Sequence, residues 1–320
     1  MVAGAPARPV EAAGGLIPAG GPAVITPTPL ATTPVTRVPV DATARVERRA
    51  PVRLLIHLLL LLGALMTFFP FYWMVVTAFK TNSEAIAQPP TFIPHEWHPE
   101  NFGIAWTAAP FPRYFMNTGL VAVCWVVGVL VVSSLAAYAF ARMQFFGKDV
   151  VFAALLATMM IPGDATLIPN FVIVTKWLGW YNTYQAQFIL ALGNVFAIFL
   201  LRQFFLSIPK ELEEAALIDG CSRHRFLWAI LLPLSVPALI TVALMNFLAA
   251  WNSFLWPLLV TSSPELRPIQ LGLIVFQTEA GGKYADLMAA STLVILPTVV
   301  IFLLAQKYFV EGIARTGLKG

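Results

Sequence analysis

Few side chains in this 320-residue chain are spaced for chemistry. His95-Glu96-Trp97-His98 is the one run where imidazoles and a carboxylate crowd together. Structural zinc takes four ligands and catalytic zinc three with an open position. This run sits among prolines with no further ligand near it, so a plain loop is expected and no metal. Cys124 and Cys221 fall in a predicted span and in a predicted cytoplasmic loop, so neither a disulfide nor a metal pair is expected. No Gly-x-x-x-x-Gly-Lys-Ser/Thr run occurs, which excludes ATP hydrolysis through a phosphate loop. The amides Asn194, Asn246 and Asn252 and the indole of Trp251 are of another kind. They are uncharged, and an amide both donates and accepts. Set in apolar segments, they suit either the passage of a neutral polyhydroxylated solute or the joining of helix to helix. Both roles stay open for all four.

The densest arrangement of charge and turn residues is Ser207-Ile208-Pro209-Lys210-Glu211-Leu212-Glu213-Glu214-Ala215-Ala216-Leu217-Ile218-Asp219-Gly220. Pro209 suits a first helical turn, and Glu211, Glu213 and Glu214 place negative charge at the positive end of the helix dipole. Gly220 is a natural stop and Ser222 a natural cap for a second helix toward Leu232. Pro233 and Pro237 then interrupt the chain. The pattern predicts a helix, a sharp turn and a second helix. Ala215 and Ala216 give it a small-residue face that another protein can approach closely.

The elements that position these residues follow from composition. The chain is 58% hydrophobic and 11% charged, with mean hydropathy +0.77, against about 25% charged residues in soluble domains. Apolar runs alternate with short polar stretches, as in a multi-span membrane protein. Six spans are predicted: 54–78, 117–141, 150–167, 186–205, one within 234–260 and one within 287–305. The third is the weakest, because Pro162-Gly163-Asp164 interrupts its outer end. Trp177, Trp180, Tyr181 and Tyr184 mark a headgroup region between spans three and four. There 169–179 is either a short surface helix or a loop.

Of the 20 Lys and Arg residues, 15 fall on the face holding both termini and the 142–148 and 202–225 loops. The positive-inside rule makes that face cytoplasmic. The basic balance (net charge +4, pI about 9.2) is thus an orientation signal, and nucleic acid is excluded as a partner. No ionisable group lies deep in a span. That argues against a self-contained secondary carrier, which needs such groups, and no nucleophile, base or metal constellation supports a membrane-embedded enzyme. Residues 1–50, rich in Pro, Ala, Thr and Gly, lack the pattern of a core or a signal peptide and are expected to be a disordered cytoplasmic tail.

Glu214-Ala215-Ala216, three residues, Gly220, nine residues and Ile230-Leu231-Leu232-Pro233 resembles the EAA motif of ABC importer permeases at every fixed position. Asn117-Thr118, Ala136-Ala137-Tyr138-Ala139-Phe140-Ala141-Arg142, Trp251-Asn252-Ser253-Phe254, Phe309-Val310-Glu311-Gly312 and Gly317-Leu318-Lys319-Gly320 are similar to the carbohydrate branch, of the maltose-permease kind. The likeness covers roughly 51–320. It implies an all-α membrane protein of six transmembrane helices with a cytoplasmic helix-turn-helix coupling loop and cytoplasmic termini. It further implies a permease domain over 51–320 with a type I importer core at about 113–310, in the bacterial cytoplasmic membrane. The coupling residues would be Glu214, Ala215, Ala216, Asp219, Gly220, Ile230, Leu232 and Pro233. The implied partners are a homologous second permease, two ATP-binding subunits, an extracytoplasmic solute-binding protein and the lipid bilayer. No cofactor is implied. The expected function is ATP-driven alternating access for a sugar, with glycerol phosphate as the alternative solute and a self-contained carrier as the alternative class.

Overall fold

The computed structural model describes residues 50–278 and 283–317, with side chains placed over 52–276 and 283–306. The tail expected at 1–50 therefore lies outside the described residues, apart from its last position, as do residues 318–320. The described residues are helical with turns and loops and contain no strand. The chain divides into two units between Leu60 and Leu61, within helix α1 (Ala50–Ala78).

After α1 come α2 (Glu100–Thr107), α3 (Phe111–Arg142), α4 (Lys148–Ala157), α5 (Gly163–Val172), α6 (Tyr184–Phe188), α7 (Val195–Ser207), α8 (Glu211–Ile218), α9 (Arg223–Phe226), α10 (Val236–Trp251) and α11 (Tyr284–Gly317). Three helices are each long and apolar enough to cross a bilayer: Val52–Ala78, Phe111–Arg142 and Tyr284–Gln306. Three further pairs pass the same test only as bent spans, which would bring the number to six.

The bends fall where the sequence weakens a helix. Lys148–Met160 and Gly163–Trp177 meet at 100°, with Ile161 extended and Pro162 starting the new direction. A residue before proline is pushed out of the helical region. The interruption expected at Pro162-Gly163-Asp164 within 150–167 is a turn of the axis beginning at Ile161, and the limb of 13 residues before it measures about 20 Å. The segment left open between helix and loop at 169–179 is helical as far as Trp177, closing in a π turn over Ile173–Trp177. A second bent pair, Tyr184–Gly193 and Val195–Ser207, meets at 45°. Arg223–Leu234 and Val236–Trp251 meet at 80°. Another π turn, Leu227–Leu231, precedes Pro233 there; a proline lacks the N–H that an α-helix would use and its ring crowds the carbonyl four residues back.

Helix α3 holds this arrangement together. Its 32 residues measure about 48 Å, longer than the ~30 Å hydrocarbon core. At its C-terminal half Val129, Ala137 and Tyr138 pack with Leu201 and Phe205 of α7, Phe226 and Leu231 after the loop, and Val242 of α10. At its N-terminal end Phe111 and Tyr114 pack with Trp251, Ile269, Phe276 and Ala289. Lipid supplies no hydrophobic drive between helices, so close approach of small residues matters. Gly128 supplies it directly: a Cβ there would stand 2.4 Å from a Leu192 methyl.

Candidate functional site

The first candidate is the loop between α7 and the bend before α10. Helix α8 carries Glu211, Glu213 and Glu214 in its first turn, where they complement the dipole. It ends in a Schellman turn. The Cys221 N–H donates to the Ala216 carbonyl at 2.8 Å and the Gly220 N–H to the Leu217 carbonyl at 3.0 Å. Gly220 has φ +77°, a conformation open to glycine and costly to β-branched residues. Nothing lies within 4 Å of where its Cβ would be, so the demand is purely a backbone one. The Ser222 hydroxyl then accepts from the Arg225 N–H at 3.3 Å and caps α9. The stop at Gly220 and the cap at Ser222 fall where the sequence predicts them, whereas Pro209, expected in the first turn, stands just before α8, which begins at Glu211.

The loop shows two faces. Ala216, Phe226 and Leu231 are buried in the core. Glu214, Ala215, Asp219 and Gly220 are exposed, beside apolar Leu212, Leu217 and Ile218, the last 86% exposed. Ile230 and Leu232 are half-buried against the core, while Pro233 is exposed at the bend. The motif thus separates into residues that anchor the loop and residues that leave an apolar patch rimmed by carboxylates.

Polar groups that the motif does not contain tie this loop to the helices. The Arg142 side chain is 2% exposed and donates from Nη2 to the carbonyls of Phe205 (2.7 Å) and Ile208 (2.6 Å) at the end of α7. Its Nη1 lies 3.7 Å from Glu213 Oε2, and the Tyr138 hydroxyl lies 3.5 Å from Glu213 Oε1. In return, Arg202 of α7 donates from Nε to the Phe140 carbonyl of α3 at 3.2 Å and stacks over the Phe152 ring at 4.2 Å. The two helix C-termini therefore cap each other with arginine. From the sequence, Glu213 has only a helix-dipole role and Tyr138 and Arg142 only a place in the resemblance, and nothing there brings the three together. The available signal was a lone arginine closing an apolar span.

The second candidate is the set of amides. Asn246 is 4% exposed, and its Oδ1 accepts from Asn194 Nδ2 at 2.9 Å and from Trp125 Nε1 at 3.2 Å. Its Nδ2 donates to the Val242 carbonyl at 2.9 Å. Asn194 also caps α7, accepting from the Ala197 N–H at 2.9 Å. Trp251 is buried and donates to the Val294 carbonyl at 3.0 Å. Asn246, Asn194 and Trp251 thus have helix-joining partners. Asn252 is different: it is exposed, donates to the Leu248 carbonyl at 2.9 Å and accepts from Gln270 Nε2 at 3.3 Å.

At the opposite end of α3, Asn117 donates to the carbonyls of Glu265 (2.8 Å) and Arg267 (2.9 Å) and accepts from the Tyr184 hydroxyl at 2.8 Å. Asn182, at φ +58°, accepts from the Ser262 and Ser263 N–H groups at 3.0 Å each. Nearby, Lys80 is buried: its Nζ donates to the Thr91 carbonyl and lies 4.4 Å from the centre of the Trp73 ring. Glu84 accepts from the Thr91 hydroxyl (2.7 Å) and the His95 N–H (3.1 Å). Burial pushes its carboxyl up, but these hydrogen bonds and the neighbouring positive groups outweigh burial and hold it below its ordinary value. His98 pairs with Glu100 at 2.6 Å. Among the described residues no group of three His, Cys, Asp or Glu side chains is placed to hold a metal ion.

Residues 102–315 match the family described as binding-protein-dependent transport system inner membrane component. A probable ABC transporter permease protein of Bacillus subtilis, YurM, is 39% identical over 79% of this chain and 84% of its own length. The trehalose/maltose transport system permease MalG of Thermococcus litoralis is 35% identical over 84% of this chain and 97% of that one. The sn-glycerol-3-phosphate transport system permease UgpE of Yersinia pestis is 32% identical over 84% and 98%. In structure, a chain of a bacterial ABC transporter involved in the import of the acidic polysaccharide alginate superposes with a TM-score of 0.70. At 24% identity it covers 82% of this chain and 98% of its own, and that likeness speaks to the fold.

Proposed function

The chain belongs to the binding-protein-dependent transport system inner membrane component family, and from that premise we propose that it is the permease subunit through which an ABC importer moves a sugar or related polyhydroxylated solute. It spans the bacterial inner membrane in six passes, three of them bent, with both termini in the cytoplasm. The 51–320 segment is the permease domain. ATP hydrolysis belongs to two partner subunits, and a second permease and an extracytoplasmic binding protein complete the assembly. A self-contained carrier would need ionisable groups at depth, and the described spans offer none.

The observation that supports this most is the two-faced α8–α9 loop. Its exposed side, Leu212, Ala215 and Ile218 with Glu214 and Asp219 around them, has the size and chemistry for insertion into a cleft of another protein. Closure of the ATPase pair on ATP would displace the loop and switch the helices from inward to outward opening. Asn252, exposed beside Gln270, is the amide best placed to meet solute; Asn194, Asn246 and Trp251 would shape the pathway from behind it. Relatives named for trehalose/maltose and for sn-glycerol 3-phosphate support both solute classes.

The test is co-purification of the ATPase with the chain, together with ATP-driven uptake. Gly220→Val costs about 1–3 kcal/mol of backbone strain at the turn and should abolish uptake while the helices still insert. Gly220→Asn, which tolerates the left-handed conformation, should retain most of it. Ala215→Trp should block the docking face. Wild-type ATPase retention and uptake in both Gly220→Val and Ala215→Trp would reject this reading of the loop.

A further inference from the structure

The geometry points to Arg142 as the positioning residue through which movement of the α8–α9 loop reaches the ends of two membrane helices, with Glu213 as its partner on the loop. The inference rests on the ATPase-docking reading of that loop. Three observations carry it.

The first is location. Arg142 is the last residue of α3, and its guanidinium holds the Phe205 carbonyl in the last turn of α7 at 2.7 Å and the carbonyl of its C-cap, Ile208, at 2.6 Å. Arg202 returns the favour from α7 to Phe140. A planar fork of five donors holds two carbonyls with one nitrogen while it turns another toward a carboxylate, a fixed spread that the compact ammonium of lysine does not have. The ends of α3 and α7 are thereby one body.

The second is asymmetry. The bonds from Arg142 to α7 are short, whereas both contacts to Glu213 are stretched: 3.7 Å from Arg142 and 3.5 Å from the Tyr138 hydroxyl. These lie at or beyond the limit for a hydrogen bond. The joint is tight toward the membrane helices and slack toward the loop, so a displacement of α8 by less than 1 Å toward α3 would convert slack contacts into charge-assisted bonds. A permanent staple would be short on both sides.

The third is enclosure. The Arg142 and Glu213 side chains are 2% and 16% exposed, and Arg142 Nε is buried with no acceptor. Charge contacts shielded from water are felt far more strongly than surface pairs. The unfilled Nε leaves the guanidinium a further bond to make in another arrangement. Glu213 points inward, whereas Glu214 and Ala215 next to it are exposed. The same helical turn therefore presents one face to the docking partner and another to the joint.

The test uses the chain assembled with its partner permease and ATPase in lipid vesicles. Cys124 and Cys221 are replaced by serine and spin labels are placed at Gln144→Cys and His224→Cys, both exposed positions. In the parent, the 144–224 distance should agree to within about 1 Å without nucleotide and after MgATP with vanadate, because once the slack to Glu213 closes, loop and helix end move together. Glu213→Gln keeps the side-chain shape and leaves Glu211 and Glu214 in the first turn of α8. It should match the parent without nucleotide and diverge by about 2 Å or more in the trapped state, the scale of interface helix shifts. Arg142→Lys should fall between the two. ATP hydrolysis by the Glu213→Gln assembly should continue with less dependence on the binding protein. If the ATPase does not co-purify with the parent chain, the docking reading falls and the joint with it. If the ATPase is retained and Glu213→Gln reproduces the parent distances in both states, the joint alone is wrong.

Discussion

A single amide can join helices or meet a solute, and its partners decide between the two. Asn246 accepts two donors and donates once inside the helix packing. Asn246→Leu would leave the Trp125 indole N–H and the Asn194 amide without an acceptor. Unpaired buried donors cost about 1–3 kcal/mol in water-soluble proteins, and interhelical hydrogen bonds in membranes average nearer 0.6 kcal/mol. Asn246→Leu should therefore lower thermal stability in detergent by about 1 kcal/mol and lower uptake in proportion to folded protein. Asn252→Leu, at an exposed position, should leave stability within about 0.5 kcal/mol and lower uptake per folded molecule. Melting curves beside uptake assays read both, and a stability loss as large for Asn252→Leu as for Asn246→Leu would remove Asn252 from the pathway.

Among elements, the segment from Lys80 to Glu100 shows how a loop outside the spans is held. Glu84 gathers the Thr91 hydroxyl and the His95 N–H while Lys80 reaches the Thr91 carbonyl. The Glu84 carboxyl is held below its ordinary value of 4.5, so ionised Glu84 stabilises the folded loop. That contribution is complete above about pH 4.5, declines as pH falls below it, and is gone below the folded value. Cleavage of residues 81–95 by an acid-active protease should rise across that fall in pH, and Glu84→Gln should be cleaved readily at every pH. An equal pH response in both proteins would show that Glu84 does not hold the loop.

The same scale shows what was legible in the sequence. The α8 stop at Gly220 and the cap at Ser222 are local chemistry, carried by residues within a few positions, and their geometry follows the prediction. The bends at Ile161 and Asn194 were less legible. Proline beside residue 161 announced an interruption but not a 100° turn, and Asn194 breaks its span by capping α7 against a partner 52 residues away. Arg142 and Glu213 meet across 71 positions, a pairing no periodicity encodes.

Within residues 61–320, the contacts sort by end. The loops expected on the cytoplasmic face gather around Tyr138, Arg142, Phe205 and Glu213. Those expected outside gather around Asn117, Asn182, Gln187 and Glu265. The two groups lie at opposite ends of α3. Single cysteines at Ser83 and Ser262, both exposed, should react from outside with an impermeant thiol reagent in a chain whose own cysteines are replaced. Cysteines at Gln144 and His224 should react only after permeabilisation. Labelling of the His224 position in intact cells would invert the topology.

The reciprocal arginine caps also set an order of synthesis. The carbonyl of Ile208 that Arg142 needs is made 66 residues after it, which at about 5–20 residues per second is roughly 3–13 s of translation. During that interval the guanidinium lacks both its α7 carbonyls and its loop carboxylate. When α7 arrives, Glu213 follows within five residues of Ile208, so the loop closes onto a seam that has only just formed. The ribosome thus delivers the parts of this corner as Arg142 first, then Ile208, then Glu213.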